Sequence, residues 1–413
     1  MKRRDFLKLA GAVSIAGCAT PAPSKARVVV VGGGFGGATA AKYIRLWDPS
    51  IDVVLVERDT SFVSCPISNM VLGGFAGMQD ISRGYDGLRR HGVTVVHDEA
   101  VAIDAAKKTV RLARGGDIAY ERLVVSPGID FTFGEVQGYE AAMRNGGVLH
   151  AWKAGPQTAA LRQKLEQMRD GGVYILSVPL APYRCPPGPY ERTSVIAAYF
   201  KQAKPRSKVL VLDANPDVTS KGGLFKRAWS ELYPGIIEYR GGAKVVAVEA
   251  GAVRTEFDTV KGDVLNVVPP HRAGEIAARS GLITTNNRWC DVDWRTMESK
   301  AVKGVHVLGD ATLSAPGMPK SGSMANNHAK IAAAAIVELL NGRGPQPVKI
   351  LNTCYSFVAE KEAIRVSSVH EWSDAQGTLV PVKGAGGVSA ARSEAEGTYT
   401  WNWARTIWAD SFA

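Results

Sequence analysis

The stretch ARVVVVGGGFGGATAAKYIRLWDPSIDVVLVERD, residues 26–59, limits the possible folds more than any other part of the chain. Arg27 to Val31 is an almost unbroken apolar run, the pattern of a strand covered on both faces, because a half-exposed strand would alternate. Ala38 to Trp47 has helix composition, and Asp52 to Val56 is a second apolar run. Between strand and helix, Gly32, Gly34 and Gly37 form G-x-G-x-x-G. The first glycine permits a tight turn, the second lets a diphosphate approach the backbone, and the third lets helix and strand pack closely. The helix N-terminus then faces the negative charge. Glu57 follows Gly37 by 20 residues, where an acid takes a ribose hydroxyl. Together these features define a dinucleotide-binding βαβ unit.

That unit cannot occupy the whole chain, because 413 residues suit two or three domains of roughly 100–200 each. The segment KGVHVLGDATLSAPGMPKSGSMANNHAKIAAAAIVELLNGRG predicts a strand ending in Gly309-Asp310, a loop, and a long helix from about Ser323 that stops at Asn341-Gly342. It resembles the second FAD motif of flavoproteins with two dinucleotide-binding domains. On that resemblance Asp310 binds the ribityl-phosphate region, and Lys320, Ser321 and Gly322 form the turn that aims the helix at the flavin edge. The alternative for Asp310 is an ordinary N-cap acid. LVVSPG, Leu123 to Gly128, closes the first half of such a domain.

A second βαβ pattern lies between these halves: a helix over 156–168, a strand Val173 to Val178, a helix Glu191 to Phe200, and a strand Lys208 to Asp213. Its turn, PLAPYRCPPG, holds prolines and Cys185 where a nucleotide-binding turn holds glycines. Proline lacks the amide proton and fixes φ, so this turn is expected to have lost a nicotinamide cofactor. The predicted class is α/β. Two Rossmann-like domains of the disulfide-reductase type, FAD-dependent, are joined by a smaller C-terminal α+β domain. The expected divisions are a leader at 1–26, an FAD domain at 27–145 and 282–345, a second Rossmann-like domain at 146–281, and the C-terminal domain at 346–413.

The opening MKRRDFLKLAGAVSIAGCATPAPSKA pairs two arginines with a short apolar stretch and small residues. This reads as a twin-arginine export signal, placing the protein in the periplasm. IAGC, ending at Cys18, also resembles a lipoprotein cleavage box. No stretch reaches the roughly 20 apolar residues of a transmembrane helix. The net charge of +11 is scattered without a basic run, which argues against nucleic acid and suits an acidic partner or an anionic substrate. No C-x-x-C, zinc or C-x-x-C-H spacing occurs, so a metal site is not expected and any haem belongs to a partner chain.

The motifs VVVVGGG, SCPISN, HAWKAGPQT, YRCPPGPYERTS, GVHVLGDA, MPKSG and NTCYSF span nearly all of the chain beyond the leader. Together they resemble the flavoprotein subunit of flavocytochrome c sulfide dehydrogenase, a relative of sulfide:quinone oxidoreductase. The resemblance implies that Cys185 and Cys354 form a redox-active disulfide near the flavin, opened by hydrosulfide. It also implies that Cys65 is bonded to the flavin, although Pro66 departs from the aromatic residue of the family pattern. A c-type cytochrome subunit then takes the electrons. Spacing alone leaves the alternative of a structural disulfide between the middle and last domains. Cys65 is otherwise a small buried packing residue, and Cys290 has no evident partner. Glu191, six residues beyond Cys185, either moves protons or sits as a first-turn helix acid. The tail tryptophans Trp401, Trp403 and Trp408 fill a core, or else form a lid or docking surface. Two other functional readings are a sulfide:quinone oxidoreductase on a membrane surface and a flavin subunit without turnover.

Overall fold

The computed structural model describes residues 24–413; the expectations concerning the leader and Cys18 lie outside them. The strand Ala26–Val31 is central to a seven-stranded sheet, running parallel to Ile51–Val56 on one side and Arg122–Val125 on the other. Thr94–Val96 extends one edge, and Val305–Val307 extends the other, so residues far apart in the chain complete one sheet. Val28, Val29 and Val30 are fully buried, as the unbroken apolar run requires.

Two helices, Phe35–Trp47 and Gly322–Leu340, pack against each other on this sheet. Their buried faces are built from small residues, Gly36, Gly37, Ala38 and Ala41 on one and Ala325, Ala329, Ala332 and Ala333 on the other, which allows a close backbone approach. Both helix N-termini therefore open near the same edge of the sheet.

The second sheet has five parallel strands, with Val173–Val178 flanked by Lys208–Asp213 and Val264–Val267. The helix that follows Val173–Val178, Gly188–Ala203, starts earlier than sequence reading suggests. Pro187 and Pro189 preset φ at the helix entrance and remove amide protons that would have no partner there. The prolines that disqualify a phosphate turn thus begin a helix.

An antiparallel sheet of Lys349–Phe357, Ala363–Ser373 and Thr378–Val388 follows. The terminal helix Glu394–Phe412 is capped by Ser393, whose hydroxyl accepts from the Glu396 amide, with Glu394 and Glu396 in its first turn. This helix docks on the first domain. Its Asp410 accepts from Tyr43 and Asn326 and pairs with Lys330, while Thr39 and Ser411 hydroxyls meet at 2.9 Å. Trp408 is buried under the Arg83 guanidinium, and Trp401 packs on Phe357. The strand Lys349–Phe357, which carries Cys354, contacts both this anchored helix and the helix Gly322–Leu340, and is thereby held against the first domain. Among the described residues, no helix is long and apolar enough to cross a membrane.

Candidate active site

The glycine turn meets the steric demands that its sequence sets. Gly32 has φ of +95°, and a Cβ there would lie 2.4 Å from the Ser126 carbonyl oxygen; one on Gly37 would lie 1.8 Å from the Gly32 oxygen. A Cβ on Gly34 meets nothing nearer than Phe62 at 3.9 Å, because Gly34 faces a cavity. Gly33, which the motif leaves free, is also crowded, though by side chains, since its Cβ would lie 2.8 Å from the Tyr85 hydroxyl and 2.9 Å from Glu57 Cγ. Glu57 stands at the end of the second strand on the cavity wall. One carboxylate oxygen accepts from the Gly33 amide at 2.6 Å and the other from the Asp59 amide at 2.9 Å.

This cavity, about 590 Å³, continues into a smaller chamber of about 180 Å³; Gly34, Phe62, Ser126 and Gly128 line both. The path runs from Glu57 and Arg58 at one end to Cys65, Cys185 and Cys354 at the other. Three groups along it fit FAD. The glycine turn suits a diphosphate. Asp310 lines the chamber with a buried carboxylate oxygen that has no hydrogen-bond partner, the acceptor a ribityl hydroxyl needs. Burial pushes its carboxyl above the usual range, opposed by Arg184 and Lys320. The 19-residue helix Gly322–Leu340 presents its N-terminus to the chamber, with Ser321 capping it through the Met324 amide.

Lys320 is placed differently from the sequence expectation. Its ammonium turns away from the chamber, donates to the Asp310 and Thr312 carbonyls, and lies 3.7 Å over the Trp289 ring. Its own carbonyl oxygen accepts from the Cys185 amide at 2.8 Å. Lys320 therefore fixes the loops around the chamber without facing it.

The three chamber cysteines are held by separate parts of the chain. Cys65 donates to the Trp152 carbonyl at 3.7 Å and accepts from the Ala154 amide at 3.4 Å. Cys185 sits at φ of +59°, a left-handed conformation uncommon outside glycine. Gly188 makes room for its sulfur, because a Cβ at 188 would lie 2.9 Å from it. Cys354 donates to the Asn352 side chain at 3.4 Å, and that side chain also accepts from Ser321. Burial raises both the Cys185 and Cys354 thiols, and each thiolate would feel Glu191 as an adverse charge. All four described cysteines are free thiols, so the implied Cys185–Cys354 bridge is not formed in this structure. The structure instead brings both thiols to one chamber. Cys290 is buried outside it, with burial pushing its thiol to about 12.

Glu191 is both a first-turn helix acid and a chamber residue. Its carboxylate accepts from the Asn69 side chain at 2.8 Å and the Phe357 amide at 2.9 Å, while burial raises its pKa. Sequence reading missed the cations beside it. Arg192 is buried over Trp152 and donates to Asn69, Asn266 and the carbonyls of His150 and Ala151. Lys221, also buried, donates to Ser356. The YERTS motif contains Arg192, but no periodicity distinguishes Lys221 from a surface lysine. Trp403 and Tyr355 line the chamber, so one tail tryptophan borders the site while Trp408 packs in the core.

In the second domain, Asp213 ends the second strand of its βαβ unit, where an acid would meet a nucleotide ribose. Its oxygens are occupied by Tyr190 at 2.8 Å, Tyr239 at 3.0 Å, and the Asn215 amide and side chain, each at 2.8 Å.

Two dinucleotide-fold sheets, a glycine turn leading to a long cavity, and cysteines at its far end define a flavin-dependent oxidoreductase. The pyridine nucleotide-disulphide oxidoreductase family model matches residues 26–169. The central model of the sulfide dehydrogenase [flavocytochrome c] flavoprotein chain matches 158–269, and the flavocytochrome c sulphide dehydrogenase flavin-binding model matches 346–412. The sulfide dehydrogenase flavoprotein chain of Chlorobaculum thiosulfatiphilum is 71% identical over 45 residues, 11% of this chain and 94% of that sequence. The mitochondrial sulfide:quinone oxidoreductase of Dictyostelium discoideum is 25% identical over 300 residues, 69% of this chain and 65% of the relative. The solved sulfide:quinone oxidoreductase of Aquifex aeolicus shares the fold, with a TM-score of 0.78 and 19% identity, covering 93% of this chain and 91% of that one. The chain belongs to the flavoprotein chains of flavocytochrome c sulfide dehydrogenase, relatives of the sulfide:quinone oxidoreductases.

Proposed function

We propose that the protein oxidises hydrosulfide at the Cys185–Cys354 pair and delivers the electrons through FAD to a c-type cytochrome subunit. The observation that carries this reading is the convergence of Cys65, Cys185, Cys354 and Glu191 on one chamber of the cavity that begins at the glycine turn. In the working enzyme the pair alternates between the bridge and an open state, a persulfide beside a thiolate.

Hydrosulfide is a soft anion that attacks a disulfide sulfur without needing activation. One S–S bond forms between the incoming sulfur and one cysteine, while the Cys185–Cys354 bond breaks and the other cysteine leaves as a thiolate. The charge is conserved, and the product is a persulfide beside a thiolate. Glu191, which lines the same chamber and has its carboxyl raised by burial, would take the persulfide proton. As two electrons and the persulfide proton leave, the Cys185–Cys354 bond re-forms and the bound sulfur departs at the oxidation level of elemental sulfur, so that over the cycle hydrosulfide loses two electrons and one proton. FAD, when bound, would supply an acceptor for an electron pair that can be passed on one electron at a time. Gly32, Gly34, Gly37, Glu57, Asp310, Ser321 and Gly322 would hold the cofactor, and Cys65 would tether it through a thioether. Haem is assigned to the partner, and residues 1–26 to twin-arginine export into the periplasm.

Nicotinamide is not proposed as a reductant, because Asp213 spends its acceptors on Tyr190, Tyr239 and Asn215. The whole-length likeness to the Aquifex fold favours quinone as the alternative acceptor. Against it, the terminal helix buries Ala404, Ile407, Trp408 and Phe412 within the protein, with Trp401 and Trp403 half-buried and Tyr399 its one exposed large aromatic side chain. The purified protein should reduce a c-type cytochrome with sulfide much faster than a soluble quinone analogue, and NADH should support neither. Faster quinone reduction would reverse the acceptor assignment, and brisk turnover with NADH would remove the distinction between the two domains.

A further inference from the structure

We infer that Lys221 is a positioning residue for the cysteine pair: it grips the strand carrying Cys354, together with Glu191, and places a buried positive charge beside that sulfur. This deepens the functional reading above and rests on it. Lys221 precedes the helix Gly222–Leu232 and has φ of +56°, a conformation a glycine holds without strain. Two glycines follow at once, yet a lysine occupies the strained position. Its three hydrogens go to Ser356 Oγ at 2.8 Å, the Cys354 carbonyl at 3.2 Å and the Ile364 carbonyl at 3.4 Å. Each acceptor is uncharged.

The same strand is held a residue further along by Glu191, through the Phe357 amide. The helix that follows Cys185 therefore grips the strand of Cys354 at Phe357, and the Lys221 turn grips it at Cys354 and Ser356. Neither grip would require a charge if its purpose were packing alone, because a buried ammonium without a contacting anion is costly. The groups facing Lys221 are Cys354 on the gripped strand, Glu191 and Cys185 from the middle domain, Glu396 from the terminal helix, and the Phe225 ring of its own helix. Burial lowers the lysine to about 8, while Cys354 is the largest influence opposing that fall. Reciprocally, Lys221 is the largest influence favouring the Cys354 thiolate, and Glu191 acts against it.

When the bridge is opened by hydrosulfide, one cysteine becomes a persulfide and the other a thiolate. Lys221 favours the negative charge on Cys354. Reduction of the bridge by an ordinary dithiol has the same anionic end: two electrons and one proton yield one thiol and one thiolate.

The test uses reduced holoprotein and iodoacetamide, with Cys354 modification followed by peptide mass across pH. Below its midpoint the rate follows the thiolate fraction. Lys221→Met should raise the midpoint and slow modification about tenfold at fixed pH, the lower end of what an adjacent opposite charge does. Glu191→Gln keeps an acceptor for the Phe357 amide and should shift the midpoint the other way. A loosened structure would move both variants in one direction, so opposite shifts distinguish charge from packing. Should Lys221→Met not accumulate as folded holoprotein, Lys221→Gln and Glu191→Gln carry the same two signs. Less than a twofold change on removing the lysine charge, or equal signs, overturns the inference. No sulfide enters this assay. Normal Cys354 titration without bleaching by sulfide defeats the functional reading, whereas intact bleaching with an unmoved midpoint defeats the role of Lys221.

Discussion

Replacing Gly188 by alanine should separate the sulfur chemistry from the stability of the fold. Gly188 begins a helix, where alanine gains up to about 1 kcal/mol over glycine. Its Cβ, however, would lie 2.9 Å from the Cys185 sulfur and 3.0 and 3.2 Å from two atoms of the Trp152 ring. Comfortable contact between such atoms is about 3.5–4.0 Å, so the sulfur or the indole must retreat by roughly half an ångström or more. Trp152 is poorly placed to yield, with Arg192 on its face and its indole N–H held by the Arg184 carbonyl. Cys185 therefore moves. Overpacking of this kind costs about 1–3 kcal/mol, which leaves a net loss of about 0–2 kcal/mol after the helix gain. Melting should change by only a few degrees, while the Cys185–Cys354 bridge, whose geometry tolerates little displacement, should form at least tenfold less readily. The assay is thiol counting after equilibration with glutathione buffers, alongside bleaching by sulfide. Gly223→Ala is the control, since a Cβ there meets nothing within 4 Å. A Gly188→Ala protein that bridges and bleaches like the wild type would refute the steric argument.

Cys185→Ser should retain bound FAD and lose sulfide-dependent bleaching, measured in a stopped-flow spectrometer; unchanged bleaching would make the pair structural. Acid precipitation should leave the yellow colour with the wild-type chain and release it from Cys65→Ala; flavin freed from both would rule out a thioether. Acid should destabilise the fold well before its carboxylates protonate. Burial lowers His150 and His328 to about 3 and His306 to about 4, and each is neutral in the fold. The unfolded chain binds their protons below about 6.5, so stability is full above that pH and falls as pH drops, by up to about 1.4 kcal/mol per unit for each histidine, until the folded values are reached. Denaturant titrations between pH 7 and 4 should show this slope, and a flat profile would contradict the burial.

The fold was legible where short-range pattern and packing demand coincide. The strand at Val173–Val178 and the one at Lys208–Asp213 have the bounds that their apolar runs predict, because both are covered on each face. The glycine turn was legible because the positive φ of Gly32 and the approach of Gly37 to the Gly32 oxygen are local to the backbone, whereas the crowding of Gly33 by Tyr85 and of Gly32 by Ser126 comes from residues distant in sequence. The start of the Gly188–Ala203 helix was hidden by prolines that signal a loop and a helix entrance alike. At the site, cysteines could be named from their motifs, but their surroundings could not. Lys320 sits in the expected turn, yet its side chain is drawn to Trp289 and two carbonyls by contacts that only the tertiary structure creates. Lys221 and Arg192 belong to the same category, being basic residues whose burial no local pattern marks.

The most direct test is to map the cysteine links of air-oxidised holoprotein, then add two equivalents of sulfide in turn without oxygen and map them again while following the flavin absorbance. A peptide linked through Cys185 and Cys354 is predicted at the outset; the first equivalent bleaches the flavin, and the second, finding no electron acceptor left, leaves the bridge open as a persulfide and a thiolate. A link that survives both additions, or no such link at the outset, would contradict the role of the pair.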